Sequence, residues 1–206
     1  TETALLKVKD EIMGHVYNQK GVFLVLLDLS AAFDTVNHDL LLSRMSHETG
    51  VTGVALDWLK SYFTGRTTTV VIDGVHSMAK TMDYGLPQGS ILGPRSFTVY
   101  TIPIGRIIKK HSLSYHMCAD DIQIFCSFDP SDPSSIETAL SSITTCINEI
   151  RIWMTFNFLK LNNDKTEFLV ITSPYNKRWL PDICLRIGEE NIRPSTSVRN
   201  LGVIFD

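Results

Sequence analysis

The sequence predicts an α+β domain built on a mixed, largely antiparallel sheet. Three observations point there. Gly21 to Leu29 is a near-continuous apolar run, the pattern of a central strand buried on both faces. Two segments, Asp73-Gly74 and Ala119-Asp120-Asp121, sit between β-rich stretches and read as hairpin turns. Ile136, Leu140, Ile143, Ile147, Ile150 and Met154 recur at steps of four and three, one face of a long amphipathic helix. Helices interspersed with hairpins favour α+β over a doubly wound sheet.

Each element has a local pattern behind it. Thr3 to Tyr17 reads as a helix with apolar Leu5, Leu6, Ile12, Met13 and Val16, and Gly21 marks the break before the apolar strand. Val36 to His47 and Thr52 to Phe63 read as two helices split by Gly50, with Gly65 closing the second. Thr67 to Ile72 is β-branched, and Val75 to Asp83 is its expected return strand. Gly85 to Ser90 is a loop by composition. A helix starts near Ser90 to Gly93, because Pro94 fits only in a first turn; Pro103 is expected to kink or end it. Strands are predicted at Ser114–Cys118 and Ile122–Phe128. Asp132 is a natural cap for the long helix, with Pro133 at its first position. Thr166–Thr172, Ile183–Ile187 and Val198–Phe205 read as further strands.

Composition narrows the class. The 206 residues are 44% apolar and 20% charged, near the averages for globular domains, which argues against disorder, collagen and coiled coil. A chain of this length buries roughly 70% of its unfolded surface, enough for a core without staples. The longest strongly apolar run, Val22 to Leu27, is far short of a membrane span. No charged segment followed by an apolar one opens the chain, so secretion is not expected. Thr1 in first place suggests an excised domain or a fragment of a longer frame. The net charge of −3 lends no support to nucleic-acid binding and does not exclude it. Cys118, Cys126, Cys146 and Cys184 form no Cys-x-x-Cys pair, so reduced thiols in an intracellular chain are expected rather than structural zinc.

Three places could carry chemistry. Asp28 ends the buried strand; on its own it reads more simply as a turn or cap residue. Asp120-Asp121 could be only a turn, yet its flanks are apolar and β-rich. Adjacent carboxylates repel and raise each other's pKa. A divalent cation with hard oxygen ligands relieves that repulsion. With a third carboxylate, two cations roughly 4 Å apart can stabilise attacking and leaving oxygens in phosphoryl transfer. Gly85 to Gly93 places glycines, Gln88 and Ser90 ahead of a helix, where backbone can approach a ligand; it is not a Walker A loop.

These pieces occur in an order that resembles the palm of a reverse transcriptase, specifically the LINE-type (non-LTR) retrotransposon enzymes. Leu26-Leu27-Asp28-Leu29-Ser30-Ala31-Ala32-Phe33-Asp34-Thr35-Val36 resembles motif A (near 22–36), and Gly85-Leu86-Pro87-Gln88-Gly89-Ser90-Ile91-Leu92-Gly93-Pro94 resembles motif B (85–94). Ala119-Asp120-Asp121 is similar to motif C (114–128). Asn157-Phe158-Leu159-Lys160-Leu161-Asn162-Asn163-Asp164-Lys165-Thr166-Glu167 is similar to motif D (153–170), and Asn200-Leu201-Gly202-Val203 to the next motif in the family's order (198–205). Ala-Asp-Asp alone carries little; five motifs in order carry much. The resemblance implies an RRM-like palm, with helices packed on one face of the sheet and only the end of the fingers present. Most of the fingers, and the thumb, are expected to lie outside these residues.

The resemblance also implies roles. Asp28 and Asp120 would be the main ligands of two Mg²⁺ ions, with Mn²⁺ as a substitute; Asp121 would complete the cluster and the Leu29 carbonyl would assist. Phe33, five residues past Asp28, would be a steric gate against ribonucleotides, although a core aromatic is the simpler reading of the residue type. Gln88 and Gly89 would border the incoming nucleotide and template base. Lys165 would protonate departing pyrophosphate, where residue type alone suggests a solvated charge. Asp34 is assigned no metal, and Trp153 is read as core. The implied partners are an RNA template, a DNA primer and dNTPs, with no membrane. Nuclear action and a cytoplasmic ribonucleoprotein are implied by family alone.

Some residues depart from the family pattern. Cys118 replaces an aromatic that supports the primer terminus, Ile122 replaces a commoner threonine, and Arg95 stands where an apolar residue is usual. If buried unpaired, Arg95 would cost several kcal/mol. These departures, and an expected weak activity for the isolated chain, leave a second reading open: a non-catalytic relic or domesticated nucleic-acid-binding module that kept the fold. A third, an unrelated two-metal nuclease, sits poorly with Gly-Leu-Pro-Gln-Gly.

Overall fold

The computed structural model describes residues 2–178, 180–200 and 203–205. The elements run α1 (Glu2–Tyr17), β1 (Gly21–Ser30), α2 (His38–Thr49), α3 (Gly53–Phe63), β2 (Thr67–Thr68), β3 (Val71–Ile72), β4 (Val75–His76), β5 (Lys80–Thr81), α4 (Leu92–Lys110), β6 (Ser114–Cys118), β7 (Asp121–Phe128), α5 (Pro133–Phe156), β8 (Lys160–Ile171), α6 (Pro174–Lys177), β9 (Leu185–Ile187), β10 (Glu190–Ile192), β11 (Val198–Asn200) and β12 (Val203–Phe205). The centre is a four-stranded sheet in the order β6-β7-β1-β8, with every pairing antiparallel.

Alternation along β1 explains its continuous apolar sequence. Phe23, Val25, Leu27 and Leu29 enter the main core, against Phe97, Tyr100, Ile104 and Ile108 of α4 and Ile143, Ile147, Ile150 and Met154 of α5. Phe23 stacks on Phe128 at 4.1 Å between ring centroids and meets Phe168 at 5.6 Å. Val22 and Leu24 point the other way. With Phe125 and Leu169 they lie under Val8 and Ile12 of α1 and Val198 of β11. Both faces of the strand are therefore dry, as its sequence predicts.

The long helix α5 starts as expected. Asp132 accepts from the Ser134 backbone N–H, and Pro133 occupies the first turn. Arg44 of α2 ties three helices together. Its guanidinium lies over the rings of Tyr100 (4.4 Å) and Trp153 (5.0 Å) and donates to the Tyr100 carbonyl and the Asn157 side chain. Trp153 is thus a packing residue. Asp73 and Gly74 both take positive φ (50° and 80°), the primed turn that joins β3 to β4.

The structure corrects several boundaries. α4 runs through Pro103 to Lys110 instead of ending there. Losing one helical hydrogen bond at a proline is outweighed by the buried face that continues through Ile104 and Ile108 on the far side. β8 starts at Lys160, six residues before the predicted Thr166, because pairing to β1 overrides the poor strand propensity of Asn and Asp. The predicted strand Ile183–Ile187 is one arm of a β9–β10 hairpin. Val198–Phe205 is a hairpin of β11 and β12 rather than one strand. Leu201 and Gly202, the centre of the last motif, lie outside the described residues. The return strand predicted over 75–83 is broken into β4 and β5, both exposed.

Candidate active site

β1 carries Asp28 to one end of the central sheet. There the β1–β8 register slips: Leu26 faces Glu167, but Asp28 faces Asn162. Residues 163–166 of β8 therefore stand against Leu27 alone, a bulge that Thr166 braces by donating to the Asn162 carbonyl at 2.9 Å. The bulge brings two side chains onto one oxygen. Asn162 Nδ2 donates to Asp28 Oδ2 at 3.3 Å, and Lys165 Nζ lies 3.8 Å from the same atom.

The β6–β7 hairpin supplies the other carboxylates. Cys118 pairs with Asp121, leaving Ala119 and Asp120 as the turn. Ala119 takes φ +56°, a left-handed conformation that costs a residue with a Cβ about 1–2 kcal/mol. Strain at such a turn is tolerated where the surrounding sheet fixes the geometry. The β1–β7 register runs to Leu27 opposite Ile122, so its next step sets Asp28 beside Asp121.

The three carboxylates share one electrostatic neighbourhood. Asp121 is exposed at the residue level, but atoms packed around its carboxyl raise its pKa, and the charges of Asp120 and Asp28 raise it further. Among the described residues, no three His, Cys, Asp or Glu side chains are arranged, as they stand, to hold a metal ion. The donor chemistry nonetheless fits a hard divalent cation: three carboxylates repel one another, and an oxygen-seeking cation removes that repulsion.

A second feature lies beyond the strand. The Phe33 ring is half-buried and stacks on Phe97 at 5.0 Å. With Pro87, Gln88, Gly89, Ser90, Gly93 and Pro94 it lines a pocket of about 480 Å³. The motif-B loop is laced to the segment after β1. Leu86 N–H donates to the Phe33 carbonyl at 2.7 Å, Gly85 N–H to the Val36 carbonyl at 2.8 Å, and His38 Nε2 meets the Gly85 carbonyl at 2.7 Å. Gly85 is required twice over: its φ is +89°, and a Cβ there would lie 2.9 Å from the Asp34 carbonyl oxygen. A larger cavity, about 740 Å³, opens between α5 and the start of β8 beside Arg151 and Lys160; none of the predicted site residues lines it.

The predicted residues therefore fall into two groups. Asp28, Asp120, Asp121 and Lys165 gather at the end of the sheet, and Phe33, Gln88 and Gly89 share the pocket. Leu29 is buried and faces Leu161 across the ladder. Arg95 is exposed on α4, so the burial cost considered for it does not arise. Asn162 and the partnership of Asp34 with Gln88 were not evident from the sequence. Asn162 lies 134 residues from Asp28 and Asp34 lies 54 from Gln88, with no local pattern linking either pair.

The antiparallel sheet, with two long helices behind it and three carboxylates at one end, matches the palm-like fold that the sequence predicts. The family model described as "Reverse transcriptase (RNA-dependent DNA polymerase)" matches residues 6–205, and the chain belongs to that family. The chain is 28% identical over 195 residues, 88% of its length, to the "Probable RNA-directed DNA polymerase from transposon BS" of Drosophila melanogaster. It is 36% identical over 75 residues, 36% of its length, to the "RNA-directed DNA polymerase from mobile element jockey" of Drosophila funebris. It spans 20% of the first relative and 8% of the second. Both bear out the resemblance to transposon enzymes of the LINE type. Among solved structures, an apo telomerase from Candida tropicalis, truncated from its C-terminal domain, matches with a TM-score of 0.60 at 13% identity. That match covers 93% of this chain and 38% of the telomerase, and it shows a shared fold.

Proposed function

We propose that this chain catalyses RNA-directed DNA synthesis for a LINE-type element, extending a DNA primer with dNTPs on an RNA template. The observation that carries the reading is the shared electrostatic neighbourhood of Asp28, Asp120 and Asp121 at the end of the palm sheet. Asp28 and Asp120 would hold two Mg²⁺ ions, with Asp121 and the Leu29 carbonyl completing the set. When bound, the ions supply activation of the primer hydroxyl and stabilisation of charge on pyrophosphate.

The chain's own residues do the rest. In the transfer, the primer 3′-hydroxyl releases its proton to solvent water, its oxygen bonds to the α-phosphorus, the bond from that phosphorus to the α–β bridging oxygen breaks, and pyrophosphate leaves. Lys165, whose Nζ lies 3.8 Å from Asp28 Oδ2, would hand the departing pyrophosphate a proton. Phe33, stacked on Phe97, would stand against the sugar and exclude a 2′-hydroxyl. Gln88 and Gly89 border the nucleotide and the template base. Template sequence is read by base pairing, so the protein recognises backbone and duplex shape.

The test is primer extension with dNTPs and Mg²⁺ on an RNA template, using the longest reading frame that contains these residues. Wild type should extend, and Asp120→Asn should lose roughly 100-fold or more, the scale of removing one preorganised electrostatic stabiliser. A folded wild type that binds primer and template without extending it would place the chain with the non-catalytic reading.

A further inference from the structure

The polymerase reading gives Asp34 no task. In that scheme it holds no metal, and its residue type alone suggests a solvated charge. The structure shows it engaged: Gln88 Nε2 donates to Asp34 Oδ1 at 3.1 Å. Both side chains are exposed, so the contact alone would be weak. Its setting makes it more than a chance meeting. The Asp34 backbone is folded back by its own N–H to the Ala31 carbonyl at 3.0 Å. The Gly85–Gln88 loop is fixed to residues 33–38 by the Leu86, Gly85 and His38 contacts. The Asp34 carbonyl lies so close to Gly85 that a Cβ there would meet it at 2.9 Å. The backbones are locked, so the meeting of the two side chains costs side-chain freedom alone.

We propose that Asp34 is a positioning residue that fixes the Gln88 amide and thereby presents a defined donor–acceptor pattern to the nucleotide pocket. An ionised carboxylate only accepts hydrogen bonds, so it holds the NH₂ end of Gln88. Oε1 and the second N–H are then the groups that Gln88 offers to a ligand. Without Asp34 the amide turns over freely, and an incoming nucleotide meets the wrong end in a share of encounters. The inference rests on the polymerase reading for the identity of the ligand. The brace itself does not depend on it.

The experiment therefore has two arms. The first needs no turnover. The side-chain NH₂ resonances of Gln88 in ¹⁵N-labelled chain, assigned by their loss in Gln88→Ala, report its restraint. They should shift and lose exchange protection in Asp34→Ala and be largely kept in Asp34→Asn, whose amide oxygen still accepts. Unchanged Gln88 resonances in Asp34→Ala would overturn the brace. The second arm reads the KM for dNTP in primer extension. Asp34→Ala should raise it about three- to tenfold, the scale of freeing one immobilised long side chain, and Asp34→Asn should recover most of that. In a Gln88→Ala background, Asp34→Ala should add nothing. An equal rise in both backgrounds, with melting temperatures matched, would show that Asp34 acts on its own. A wild type that never extends defeats the polymerase reading and leaves the first arm to decide the brace.

Discussion

The two ends of β1 do opposite work. From Gly21 to Leu27 the strand itself is apolar and almost wholly buried, and Phe23, Phe128 and Phe168 fill the space between sheet and helices. From Asp28 onward the same strand meets Asn162, a bulge, a lysine and two more carboxylates. One end is packed and apolar, and the other gathers like charges and a strained turn. The contrast teaches that the packed end holds the charged end in place. Carboxylates that repel can persist only where the strands carrying them are fixed from elsewhere.

The largest expected effect breaks the packed end. Phe23→Ala should cost about 3–5 kcal/mol in urea unfolding, because it removes a fully buried ring that stacks on one neighbour and touches another. A loss under about 1 kcal/mol would mean that the aromatic cluster does not hold the sheet. At the charged end, Lys165→Met should slow single-turnover extension about 100-fold while the fold is kept, the low end for losing a general acid. An unchanged rate would leave Lys165 as a solvated neighbour of Asp28.

Asp121→Asn sharpens the contrast through pH. The raised pKa of Asp121 means that ionising it costs the folded state. Wild-type stability should therefore fall as pH rises through that pKa. In metal-free buffer at neutral pH the variant should melt roughly 1–3 °C higher. The gain should vanish as pH drops below about 3.9, the ordinary aspartate value. A lower melting point for the variant at pH 7 would contradict the repulsion. The smallest effect is expected at Arg95→Leu. Its side chain is exposed, so unfolding should change by no more than about 0.5 kcal/mol.

The packed end was legible in the sequence and the charged end was legible only in part. The apolar run Gly21–Leu29 and the Asp132-Pro133 cap are local signals, and each lies within a residue of the observed element. β6 matches its predicted span, and β7 starts one residue early at Asp121. The carboxylates of motifs A and C could be picked out because they sit at strand ends. Asn162-Asn163-Asp164 hid the start of β8, since those residues disfavour strands and only pairing with β1 places them in one. The bulge that delivers Lys165 to Asp28 has no sequence signature. Likewise, the Asp34–Gln88 contact arises from loops joined by backbone hydrogen bonds that composition does not encode.

The central claim is that Asp28, Asp120 and Asp121 form one cation-seeking cluster held by a packed sheet. The most direct test is the melting temperature of wild type and Asp28→Asn as MgCl₂ is raised to about 10 mM at pH 7, with NaCl matched for ionic strength. Binding to the folded state alone raises the wild-type value by mass action, and Asp28→Asn should lose most of that rise. An equal rise in both proteins, or no rise in wild type beyond the NaCl control, would contradict the account.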